Sequence, residues 1–136
     1  VPKESAADVF TEIIHRSQKK KMPSYLGVMK RHRPDDFLMS HAVDGYSLAL
    51  DYRVTNKNKE ALWKMCREFE ELVLDHNGKY YFAKDSTLNP KTAEKVYGEE
   101  AISKLFDLKK KCDPDFILQS NLSRRIFVDY FDRSVC

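Results

Sequence analysis

Lys84 closes an aromatic run in YYFAKDSTLNP, residues 80 to 90, with Asp85 and Ser86 directly after it. A lysine at such a place either reaches for water or aims a cation into a pocket. Aimed into a pocket from a rigid element, it can stabilise negative charge that develops during a reaction. It works as a base only where burial or a neighbouring cation lowers its pKa. Lys30, in GVMKR, reads by itself as part of a basic edge that discourages aggregation. Asp85 can pair with Lys84 or close the following turn through an Asx bond. The histidines, at 15, 32, 41 and 76, lack HExxH spacing and cysteine companions, so no metal is expected. The chain carries no phosphate loop, GxSxG elbow or GxGxxG string.

Several elements must position these side chains. A helix is expected to open at Ser5, with Asp8 at capping-box spacing, carry Val9, Phe10, Ile13 and Ile14 on one face and fade in QKKK before Pro23. SYLGVMKRH, residues 24 to 32, reads as a strand that places Lys30 and His32 on one face with Leu26 and Val28. After a breaker-rich loop, YSLALDYRV alternates Tyr46, Leu48, Leu50 and Tyr52 against Ser47, Ala49, Asp51 and Arg53. A helix over about 57 to 76 follows, with Leu62, Met65, Cys66, Phe69, Leu72 and Val73 as its apolar stripe. Thr55 or Asn56 would cap its start, and Gly78 would take a left-handed conformation at its end. KYYFA is expected as a third strand, NPKTAEKVYG as a short helix with proline just inside it, and EEAISKLFDLKKKC as a further helix with Ala101, Ile102, Leu105, Phe106 and Leu108 inside. The amphipathic tail FILQSNLSRRIFVDYF fits no single element type. The fold class is α+β, with a mostly antiparallel sheet covered by helices.

Composition bounds the function. The 136 residues suffice for one domain, and 42% hydrophobic with 33% charged residues describes a globular chain. Its 24 basic and 21 acidic residues are interspersed, giving a net charge of +3 and no electrostatic case for a nucleic-acid partner. No 18-residue apolar run is present, so no transmembrane segment is expected. Cys66, Cys112 and Cys136 form an odd set without CxxC spacing. That set favours a reducing compartment and a cytoplasmic location, with Cys66 a buried thiol. The start VPKESAADVF has neither a methionine nor a signal-peptide core, which predicts a piece of something longer.

Four strings in order, GVMKRHRP, GYSLALDYRV, GKYYFAKDSTL and LKKKCDPDFILQSNLSRRI, resemble the C-terminal part of FAD-linked oxidases of the vanillyl-alcohol-oxidase type. Within them the likeness is greatest to the branch of the decaprenylphosphoryl-β-D-ribose oxidases. The resemblance covers about residues 24 to 127. It implies that residues 1–136 are a substrate, or cap, domain fragment, whose segment from about 113 returns towards a flavin-binding domain outside this sequence. FAD would be held mainly by that N-terminal domain, and the substrate would be a small alcohol or sugar. The fragment alone is expected to be inactive and, with apolar surface uncovered, to self-associate. Residue by residue, the resemblance makes Lys84 the active-site lysine, Tyr81 a cofactor contact, and Lys30, Ser47 and Ala49 substrate-pocket residues. Ser47 and Ala49 depart from the larger Asn and Cys of the mycobacterial member, which reshapes the pocket. Arg124 and Arg125 are expected to anchor the absent domain. Strand parity places Tyr81 opposite Tyr80, Phe82 and Lys84, so the strand must bend or end near Ala83 for Tyr81 and Lys84 to meet one ligand. Two readings from other classes compete: a single-stranded RNA platform built on KYYFA, against which the charge balance speaks, and a non-catalytic interaction or dimerisation module.

Overall fold

The first helix begins where backbone chemistry permits, directly after Pro2. In the computed structural model, which describes residues 1–132, α1 runs Lys3–Lys19 and buries Ala6, Val9, Ile13 and Ser17 at helical spacing. Ser5 does not cap it. Its hydroxyl lies inside the first turn and donates to the Pro2 carbonyl at 3.3 Å. β1 (Leu26–His32) and β2 (Gly45–Asp51) follow, then α2 (Lys59–Asp75). Asn58 precedes its first residue without a side-chain cap bond. The expected Thr55 closes the approach, its hydroxyl accepting from the Asn58 amide at 3.3 Å while Asn58 Oδ1 accepts from the Thr55 amide at 2.7 Å. Leu62, Met65, Phe69 and Val73 are its buried stripe, whereas Cys66 is only half-buried. Met65 is inaccessible to solvent, and full burial of such a side chain contributes about 1.5–3 kcal/mol.

The described residues form two compact units. Residues 1–35 and 41–79 make the first, and residues 36–40 with the chain from Tyr80 onward make the second. In the first, β1 and β2 pair antiparallel with Met29 opposite Leu48 and Lys30 opposite Ser47. The N-terminal residues extend the pairing at one end: the Val1 amine donates to the Tyr46 carbonyl at 2.8 Å, and the Tyr46 amide donates back at 2.9 Å. Gly45 makes this approach possible, since a Cβ there would stand 2.0 Å from the Val1 carbonyl oxygen. At the end of α2 the left-handed residue is Asn77 (φ 53°), in place of the expected Gly78. Gly78 is required for space instead, because a Cβ would meet Val73 Cγ1 at 2.5 Å.

KYYFA is not a third strand. Tyr81 is extended, but Phe82–Lys84 wind into a 3-10 turn, and the sheet has two strands among the described residues. The tertiary partners explain the difference. The Tyr80 carbonyl accepts from the Tyr97 hydroxyl, and Phe82 packs on Tyr97 and Phe127. Both groups are therefore committed to the core of the second unit and not to a sheet edge. That unit continues through α3 (Pro90–Tyr97), α4 (Glu99–Cys112), α5 (Asn121–Ile126) and α6 (Val128–Asp132). Pro90 occupies the first turn of α3, as expected, and Asn89 caps it by accepting from the Thr92 amide. The tail that fitted no element type forms α5, opened by a Ser120–Ser123 capping box, and α6. Leu88, Ala93, Ile102, Phe106, Ile126 and Phe127 are the buried core, while Leu108, expected inside, is half exposed. Cys112 is exposed, and Cys136 lies outside the described residues. The α+β class holds. Among the described residues, no helix is long and apolar enough to cross a membrane.

The turn after α4 carries a titration that stability should report. Asp113 accepts from Lys109 at 2.6 Å and from the amides of Ile117 and Leu118 at 2.9 and 3.0 Å. The Lys109 bond chiefly, then the two amides, hold its carboxyl below the usual range against the opposing effect of desolvation. A depressed carboxyl stabilises the fold above its unfolded pKa of about 3.9 and loses that contribution as pH falls through the folded value. Asp113→Asn should therefore lower the urea midpoint at pH 7, and the gap to the wild type should close as pH drops from about 5 to 3. A gap that stays constant across that range would show that Asp113 stabilises only through shape.

Candidate functional site

Lys84 is exposed on a turn whose two flanks are fixed. Before it, Tyr80 and Phe82 are held against the aromatic core, with the Phe82 ring 4.6 Å from that of Tyr97 and 5.9 Å from that of Phe127. Burial first, then the charge of Asp85, pushes the Tyr97 hydroxyl up to about 12. It therefore stays protonated at neutral pH and remains a donor to the Tyr80 carbonyl. After the turn, Asp85 Oδ1 accepts from the amides of Thr87 and Leu88 at 3.1 and 3.0 Å, the Asx arrangement that the sequence allowed. The other carboxylate oxygen pairs with Arg125 and not with Lys84. Arg125 also donates to the carbonyls of Ser86 and Leu88 at 2.9 and 3.1 Å. It thus clamps residues 85 to 88 within its own unit.

Between these flanks the chain reverses the parity of a strand. The Lys84 amide donates to the Tyr81 carbonyl at 3.0 Å, and residues three apart in a 3-10 turn stand one above the other. Tyr81, 48% exposed, and the exposed Lys84 thus stand at the two ends of one backbone-bonded turn. Among the described residues the Lys84 ammonium has no hydrogen-bond or ion-pair partner. The turn supplies the bend near Ala83 that a shared ligand needs.

Lys30, Ser47 and Ala49 gather in the first unit. Lys30 and Ser47 are directly opposed across the β1–β2 ladder, and Ala49 is opposed to Val28 on the same face. The exposed Lys30 ammonium also has no partner among the described residues. Ser47 Oγ lies 2.7 Å from His32 Nε2, and the His32 ring meets that of His41 in a T-shaped contact at 4.9 Å. Burial chiefly, then the charge of His32, lowers the pKa of His41, with Asp35 pulling the other way. Arg31 takes the opposite face, over the Tyr46 ring at 5.4 Å, and pairs with Asp44.

The structure thus joins Tyr81 with Lys84 in one unit and Lys30, Ser47 and Ala49 in the other. Sequence reasoning passed over His32 and His41 as site residues. For His32 the signal was available, since it shares the strand parity of Lys30. For His41, inside a loop, no spacing pointed to it.

Comparison with known proteins adds two findings. The family profile described as D-arabinono-1,4-lactone oxidase matches residues 1–126. The chain is also 28% identical over 127 residues to decaprenylphosphoryl-beta-D-ribose oxidase of Mycolicibacterium smegmatis. That alignment covers 93% of this chain and 26% of the relative, so the chain spans about a quarter of that protein's length.

Proposed function

This chain belongs to the D-arabinono-1,4-lactone oxidase family, an FAD-linked oxidase family, and from that we propose that it is the substrate-side portion of an FAD-dependent oxidoreductase. In this reading the chain works with a flavin-binding domain and presents an alcohol or sugar hydroxyl for oxidation. The observation that carries it is Lys84: an exposed cation without a partner among the described residues, on a turn fixed on both sides, with the half-exposed Tyr81 at the turn's other end. A planar, electron-accepting ring suits that pair. Tyr81 offers apolar ring surface, and Lys84 offers charge where negative charge gathers. FAD, when bound, supplies the hydride acceptor. The chain's own residues do the rest. Tyr81 and Lys84 would face the cofactor, with Lys84 stabilising the negative charge that develops on the substrate oxygen. Lys30, Ser47 and Ala49 would line the substrate's binding surface.

The test is anaerobic mixing of the flavin-loaded enzyme with secondary alcohols and sugars, followed by the bleaching of flavin absorbance. At least one should bleach it within seconds. A flavin that dithionite bleaches but the whole panel leaves oxidised overturns the reading. In the same assay Ala49→Leu should change the substrate ranking by about tenfold, the scale of a changed pocket volume, while flavin content stays constant. Loss of flavin with an unchanged ranking would remove Ala49 from the substrate surface.

A further inference from the structure

We infer that His32 is a positioning residue for substrate binding: by holding the Ser47 hydroxyl, it prepares that hydroxyl to bind a second hydroxyl of a polyhydroxylated substrate, one that is not oxidised. This rests on the functional reading above and deepens it. A serine hydroxyl on a half-exposed strand otherwise turns among three staggered positions, and a ligand that uses it must first arrest it. Here the 2.7 Å bond to His32 Nε2 selects one position. The imidazole is half-buried, and the T-shaped contact with His41 at 4.9 Å supports its ring from behind. A hydroxyl has one donor and two acceptor sites, and the bond to His32 uses only one of them. Where His32 is the donor the hydroxyl keeps its O–H and one acceptor site, and where Ser47 is the donor it keeps two acceptor sites. In either case Lys30 directly opposite adds donors. A sugar or polyol hydroxyl matches that set. A C–H group at the same place would leave it unsatisfied.

The experiment uses the flavin-loaded enzyme and a series of monodeoxy sugars. His32→Ala should raise KM about tenfold with kcat changed less than threefold, the scale of losing one preorganised neutral hydrogen bond. His32→Gln, which still reaches Ser47 with a donor and an acceptor, should restore most of the affinity. One deoxy position should cost about tenfold in the wild type and in His32→Gln, yet almost nothing in His32→Ala or Ser47→Ala. A merely structural histidine would not erase the penalty at a single hydroxyl. Unchanged KM in His32→Ala, or the same deoxy penalties in all four proteins, overturns the inference while leaving an active wild type and its oxidase reading intact. A wild type inert towards every sugar overturns both.

Discussion

Lys84→Met is expected to slow substrate oxidation by a factor on the order of 10² to 10³, the scale of losing one preorganised charge-stabilising group. Methionine keeps the length and most of the volume of lysine and deletes only the cation. The exposed ammonium has no partner among the described residues, so folding should not register its loss. Flavin content and melting temperature should stay close to those of the wild type. Rapid mixing with substrate, read as flavin bleaching, measures the rate. A wild-type rate in the variant would return Lys84 to the role of a solvated surface lysine and leave Tyr81 as the turn's remaining candidate.

Asp85→Ala should do the reverse and act on stability first. The Asp85 side chain is 5% exposed and holds two backbone amides as well as Arg125. Its removal leaves those amides unsatisfied and the guanidinium without a counter-charge. Breaking such a pair costs about 3 kcal/mol. In a chain of this length that corresponds to a fall of roughly 10 °C in melting temperature. Because the same loop supports the turn, the oxidation rate should fall as well, by about tenfold. Asp85→Asn keeps an oxygen for the two amides and should lie between. Calorimetry of the three proteins decides the matter: a melting temperature within about 2 °C of wild type for Asp85→Ala would mean that the clamp is not what holds this loop.

The contrast between the two variants separates what a motif does from what it looks like. In AKDS, the lysine carries the chemistry proposed here and the aspartate carries the architecture. The SRR string belongs to the same architecture, since Arg125 reaches across 40 residues of sequence to Asp85. As text, the two strings are unrelated. In the fold they are one clamp.

What the sequence determined by itself was local and periodic. Apolar residues at spacings of three and four marked α1, α2 and α4, the alternation of Tyr46, Leu48 and Leu50 with Ser47, Ala49 and Asp51 marked β2, and Pro90 marked the first turn of α3. The parity of β1 and β2 also placed Lys30, Ser47 and Ala49 on one face, because side chains alternate in any strand. The family was legible too, from four strings in order. The tertiary structure decided whatever depended on a partner far along the chain. KYYFA has the composition of a strand, but Tyr97 takes the carbonyl of Tyr80, and Tyr97 and Phe127 take the ring of Phe82. The chain then turns, and the Lys84 amide bonds the Tyr81 carbonyl across three residues. The pairing of Ser47 with His32, and of His32 with His41, likewise waits on the loop that returns His41 to the sheet. Periodicity fixes which way a side chain points from its own element. Only closure of the intervening chain fixes what it meets there.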